Sequence, residues 1–128
     1  GFGAIASLNN GEGCDTKVMA ELGIRHKVFN LPDNIPPEPE DLAICAEILP
    51  QVLAFIRECE ADNLPVLLHC RSGINRTEVV MAYYMMENGA APLHAVSQVR
   101  NASGLAFDAD GWDQFVYDVL YELQSASN

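Results

Sequence analysis

Apolar residues along this chain fall into short runs that alternate with longer stretches at helical spacing. Residues 4–8, Ala-Ile-Ala-Ser-Leu, read as a short strand, and Asn9-Asn10-Gly11-Glu12-Gly13 as the loop that ends it. A helix is expected over 15–22, with Val18, Met19 and Leu22 on one face and Gly23 as its stop. Residues 24–30 read as a second strand. Pro32, Pro36, Pro37 and Pro39 then forbid both a helix and a central strand, so 31–39 is a loop. From about 40 to about 61 the positions Leu42, Cys45, Leu49, Val52 and Ile56 keep helical spacing, and Pro50 within them predicts a kink or a split.

Val66-Leu67-Leu68 forms the next apolar run, entered through the turn 62–65 and ending in His69-Cys70. A helix over 79–88 is apolar on most faces, which marks it as the buried central one, and Gly89 ends it. Pro92 opens a helix to about Arg100 with Leu93, Val96 and Val99 inward, and 101–108 is a loop. A last amphipathic helix over about 110–124 is expected to bury some of Trp112, Phe115, Val116, Val119, Leu120 and Leu123, and 125–128 is expected to fray. Strands alternating with helices predict an α/β fold: a mostly parallel central sheet with right-handed crossovers and helices on both faces. A strand so near Gly1 suggests that further sheet strands precede it. A removed leader is equally compatible with the missing Met.

At 128 residues and 49% apolar content, the chain is expected to be a single domain over 1–128 with one core. A net charge of -11 disfavours nucleic acid or an anionic membrane as the main partner, because both would be repelled at long range. Cys14, Cys45, Cys59 and Cys70 form no Cys-x-x-Cys pair and have no His at zinc-finger spacing, so no metal site is predicted. A reducing, cytoplasmic setting fits these cysteines. No apolar run is long enough to cross a bilayer.

The chemistry concentrates where the central strand ends. A helix beginning near Arg76 points its unpaired N–H groups back over the loop Arg71-Ser72-Gly73-Ile74-Asn75, making a cradle for an anion. The same positive field favours a thiolate at the turn. Arg76 adds a planar two-pronged cation that fits two phosphate oxygens. The proline-rich loop 31–39, which carries Asp33, leaves its strand at the same end of the sheet, where ligands of open α/β sheets bind.

His69-Cys70-Arg71-Ser72-Gly73-Ile74-Asn75-Arg76-Thr77 resembles the His-Cys-x-x-Gly-x-x-Arg-Thr/Ser signature of cysteine-dependent protein tyrosine phosphatases. Leu31-Pro32-Asp33-Asn34-Ile35-Pro36-Pro37 resembles the acid loop of that family, and the small size is similar to its compact dual-specificity branch. The resemblance implies the phosphatase fold and hydrolysis of phosphomonoesters through a phosphocysteine, with no metal or organic cofactor. It implies Cys70 as nucleophile, the 71–76 loop and Arg76 as phosphate holders, Asp33 as acid and then base, and Thr77 as a hydrogen-bond donor to the sulfur. His69 would orient the loop, and Gln114 would match a water-positioning glutamine. It also implies a phosphorylated protein or peptide as substrate and a second cysteine that could pair with Cys70 on oxidation.

Each position also admits a plainer role. Asp33 could be a turn former, His69 a satisfied core histidine, and Gln114 an exposed helical residue. Glu40 and Asp41 are rival acids better placed to cap the next helix or sit in its first turn. Two departures stand out. Glu78 puts an acid in the first turn of the phosphate-binding helix where the family commonly has a small residue, and Asp33 lies 37 positions before Cys70, several more than is usual in compact members. RNA 5′-triphosphatases of the same superfamily share the Asn-Arg-Thr ending, and a phosphate-binding scaffold without turnover is the non-enzymatic alternative. Oligomeric state is not legible.

Overall fold

The computed structural model describes residues 3–9, 16–70 and 75–126. Among these the elements run β1 (Ala4–Ser7), α1 (Thr16–Glu21), β2 (Arg25–Val28), α2 (Asp41–Ala61), β3 (Val66–His69), α3 (Asn75–Glu87), α4 (Pro92–Ala102) and α5 (Trp112–Ala126). The strands form one parallel sheet in the order β2-β1-β3. Ala6 sits beside Lys27 on one side and Leu68 on the other. The Leu8 N–H donates to the His69 carbonyl at 2.6 Å and the Phe29 N–H to the Ser7 carbonyl at 2.7 Å. These two bonds bring all three carboxyl ends level, so the segments after Ser7, Val28 and His69 emerge on one side of the sheet.

The connection through α1 runs from β1 outward to β2, and the one through α2 runs back across β1 to β3. Right-handed crossovers in opposite directions set the two helices on opposite faces. Accordingly, α1 packs on β2, and α2 packs on β1 and β3. The small buried side chains of Ala4 and Ala6 leave room on the central strand. α3 lies against α2, α4 and α5, and the core between them holds Leu49, Val52, Val79, Val80, Val96, Val99, Phe107, Trp112, Val116 and Leu120.

α5 buries all six of its candidate residues, where the pattern predicts only some of them inside. Other expectations need correction. α2 is not split: it continues through Pro50, which is exposed and forfeits only the hydrogen bond its missing N–H would give to Ala46. Buried residues on both sides of Pro50, from Cys45 to Cys59, hold the two halves together. Leu93 is exposed, because the inner face of α4 runs Pro92, Ala95, Val96 and Val99, and Leu93 lies about 100° off it. In the six-residue α1 Met19 is buried, while Val18, and Leu22 just after the helix, face outward. The tail is helical as far as Ala126. Gly23 has the positive φ (76°) expected after a helix.

Candidate active site

β3 delivers His69 and Cys70, α3 delivers Asn75, Arg76 and Thr77, and the loop after β2 delivers Asp33. The Cys70 Sγ and Thr77 Oγ1 atoms are 3.1 Å apart, close enough for the hydroxyl to donate to the sulfur. The Arg76 Nη2 atom lies 3.4 Å from Asp33 Oδ2, with the arginine side chain 11% and the aspartate 30% exposed. The two segments that sequence reading joined by motif alone therefore meet in space. Arg71, Ser72, Gly73 and Ile74, the body of the expected cradle, lie outside the described residues, as does Cys14. Asn75 is buried at the start of α3, and its Oδ1 has no hydrogen-bond partner among the described residues.

Glu78 is buried in the first turn of α3. Burial pushes its carboxyl above the ordinary value of 4.5, toward the neutral form. An acid there subtracts less from the positive end of the helix than a solvated glutamate would.

His69 ends β3 and accepts the Leu8 N–H through its carbonyl. Across the sheet, His26 Nε2 is 2.8 Å from Ser7 Oγ, and burial holds its imidazole below the usual 6.5, with His69 adding to the effect. Gln114 is exposed on α5, and its amide donates to Asp118 one turn on, at 3.0 Å. Arg100 donates through Nε to the Ala106 carbonyl at 3.3 Å, tying α4 to the segment that leads into α5.

Of the two rival acids, Glu40 is the residue before α2 and makes no side-chain cap, while Asp41 sits in the first turn with its side chain 2% exposed. Asp41 accepts Asn34 Nδ2 at 3.2 and 3.0 Å and the Glu38 N–H at 2.7 Å. Trp112 donates its indole N–H to the Asn34 carbonyl at 2.9 Å. Neither contact is written in the sequence, where Asn34 is one residue of the 31–39 loop and Trp112 one of the apolar positions of the last helix. One signal was present, since Asp41 continues the apolar stripe of Cys45, Leu49, Val52 and Ile56, and a carboxylate there must be buried.

A cavity of about 740 Å³ lies elsewhere. It lies behind Thr77, along the open edge of β3, and is lined by Leu67, Leu68, Met81, Tyr84 and His94; Cys70, Arg76 and Asp33 do not line it. Cys45 and Cys59 are free, buried thiols, and burial with the nearby Asp41 charge pushes Cys45 up to about 12. Among the described residues, no cluster of His, Cys, Asp and Glu could hold a metal ion, and no helix is long and apolar enough to cross a membrane.

The family model for the dual specificity phosphatase catalytic domain matches residues 8–111. A tyrosine-protein phosphatase of Autographa californica nuclear polyhedrosis virus is 30% identical over 116 residues, covering 88% of this chain and 66% of the relative. A dual specificity protein phosphatase of vaccinia virus is 34% identical over 81 residues, covering 58% of this chain and 47% of the relative. The chain thus spans less than two thirds of the length of either. The crystal structure of Tk-PTP in the active form superposes with a TM-score of 0.74 at 21% identity, covering 94% of this chain and 79% of that one. The match over residues 8–111 spans both the Asp33 loop and the Cys70 to Thr77 segment, and the chain belongs to the dual specificity phosphatase catalytic-domain family.

Proposed function

We propose that the protein hydrolyses phosphomonoesters, with phosphotyrosine in proteins or peptides as the leading substrate and phosphoserine or phosphothreonine as further ones. The observation that carries this reading is the meeting of Asp33 and Arg76 at 3.4 Å, beside a Cys70 sulfur 3.1 Å from the Thr77 hydroxyl. A nucleophile, an anion holder and an acid from three separate elements converge at the carboxyl end of the sheet. A phosphate-binding scaffold would need only the second of these.

In the first step the Cys70 thiolate attacks phosphorus. An S–P bond forms, the ester P–O bond breaks, and protonated Asp33 gives its proton to the leaving oxygen. Arg76 and the backbone N–H groups at the start of α3 hold the equatorial oxygens as negative charge moves onto them. Thr77 donates to the sulfur and stabilises it both as attacker and as leaving group. In the second step Asp33, now a carboxylate, takes a proton from water. The water oxygen bonds to phosphorus, the S–P bond breaks, and inorganic phosphate leaves the restored thiolate. No metal or organic cofactor enters either step. The cytoplasm, where thiols stay reduced, suits this chemistry.

The competing reading is hydrolysis of RNA 5′-triphosphates. The charge of -11 opposes it, because approach of RNA would be repelled. Phosphate release from a phosphotyrosine peptide, measured beside a 5′-triphosphorylated oligonucleotide, decides the order. Faster release from the peptide is expected; faster release from the oligonucleotide would reverse the assignment.

A further inference from the structure

We propose that Asp41 and Trp112 clamp Asn34 from two sides and thereby hold Asp33 against Arg76, which makes them positioning residues for the acid step. This rests on the acid role given to Asp33 above.

Asp41 is a carboxylate in the first turn of α2, 2% exposed, with no cation among its hydrogen-bond partners in the described residues. Burying a carboxylate without a counter-ion costs several kcal/mol unless donors replace its water. Its donors are two contacts from the Asn34 side-chain amide and the Glu38 N–H, so both ends of the segment 34–38 are gathered onto one side chain. The dipole at the start of α2 lowers the remaining cost. Capping a helix would need far less, since an exposed Ser or Asp does that work.

The second side of the clamp comes from the far end of the chain. Trp112, 1% exposed at the start of α5, donates its indole N–H to the Asn34 carbonyl at 2.9 Å. Its neighbour Gly111 has φ +81°, and a Cβ there would stand 2.8 Å from Pro37 Cδ and 3.2 Å from Pro36 Cβ. The start of α5 is therefore pressed onto the proline half of the acid loop. Asn34 is held by its side chain to α2 and by its main chain to α5, and the residue directly before it is Asp33. That aspartate lies 3.4 Å from Arg76.

An acid matters most when the leaving oxygen is a poor leaving group, and this separates positioning from general stability. kcat and KM are measured for dinitrophenyl phosphate, which leaves readily, and for phenyl phosphate, which does not, with Asp33→Asn as the reference. Asn34→Ala and Trp112→Phe are expected to lower kcat on phenyl phosphate by about tenfold or more and on dinitrophenyl phosphate by less than about threefold, with KM little changed. The exchange Asn34→Asp with Asp41→Asn keeps a donor facing a carboxylate and should restore most of the phenyl phosphate rate. Asn34→Ala alters an exposed loop position and decides the matter should the Trp112 variant fail to fold. Equal losses on both esters, or no loss on either, would overturn the clamp while leaving Asp33 as the acid. If Asp33→Asn itself treats the two esters alike, the acid role falls, and the clamp with it.

Discussion

Arg76 reaches Asp33 across 3.4 Å, joining the first turn of the helix after the cysteine to a loop that leaves the sheet from β2. The same guanidinium is the group proposed to hold two phosphate oxygens. A phosphate held by that guanidinium would have the Asp33 carboxyl beside its leaving oxygen.

Arg76→Lys tests that double use. Lysine keeps the charge but not the planar fork, so one of two parallel hydrogen bonds to phosphate is lost. A charge-assisted bond contributes about 1.5–3 kcal/mol, which predicts a fall in kcat/KM of about 10- to 100-fold. Steady-state kinetics on an aryl phosphate measure it. A variant as active as the parent would show that Arg76 serves only as a charge.

Glu78 should make stability depend on pH in a sense opposite to that of a salt-bridged acid. Its carboxyl is raised above 4.5 by burial, so the folded state binds the proton more tightly than the unfolded chain. Stability attributable to this group is greatest below 4.5 and declines as pH rises through the window between 4.5 and the raised folded value. Glu78→Gln removes that decline. Thermal melts should show the variant more stable than the parent at pH 7 and no more stable at pH 4. A destabilised variant at pH 7 would show that the carboxylate is held by a favourable partner.

The thiols should differ sharply in reactivity. Cys45 is buried and pushed up to about 12, and Cys59 is buried too, whereas Cys70 is partly exposed. Iodoacetamide applied to the native protein at neutral pH is expected to label Cys70 and to leave Cys45 and Cys59 untouched, with inorganic phosphate slowing the labelling. Peptide mass mapping reads the sites. Preferential labelling of Cys45 would contradict the packing of α2.

Much of this architecture is legible in the sequence because it is written in local periodicity. The strand ending in His69-Cys70, the helix that follows, and the apolar positions of α5 all follow from spacing and from Gly or Pro punctuation. Spacing failed at Val18 and Leu22, where the six-residue α1 packs chiefly on β2, and at Leu93, which lies about 100° off the inner face of α4. Of the two outcomes expected at Pro50, the split does not occur, because tertiary burial on either side outweighs one missing hydrogen bond.

The active-site pairing was legible only in part. Asp33 and Cys70 sit in segments that a motif can flag, but nothing local states that Trp112 reaches Asn34 across 78 positions. Phe107 is a similar case: fully buried with φ 63°, it holds a backbone conformation that no local rule assigns to phenylalanine and that packing must impose.

The claim on which the rest depends is that Cys70 is the nucleophile, and turnover of an aryl phosphate by Cys70→Ser tests it most directly. A serine hydroxyl in the same place lacks the thiolate's nucleophilicity while the neighbouring Arg76 and Thr77 remain. The account predicts that turnover falls by about four orders of magnitude or more, with inorganic phosphate still bound. A Cys70→Ser protein that turns over within about tenfold of the parent would contradict it.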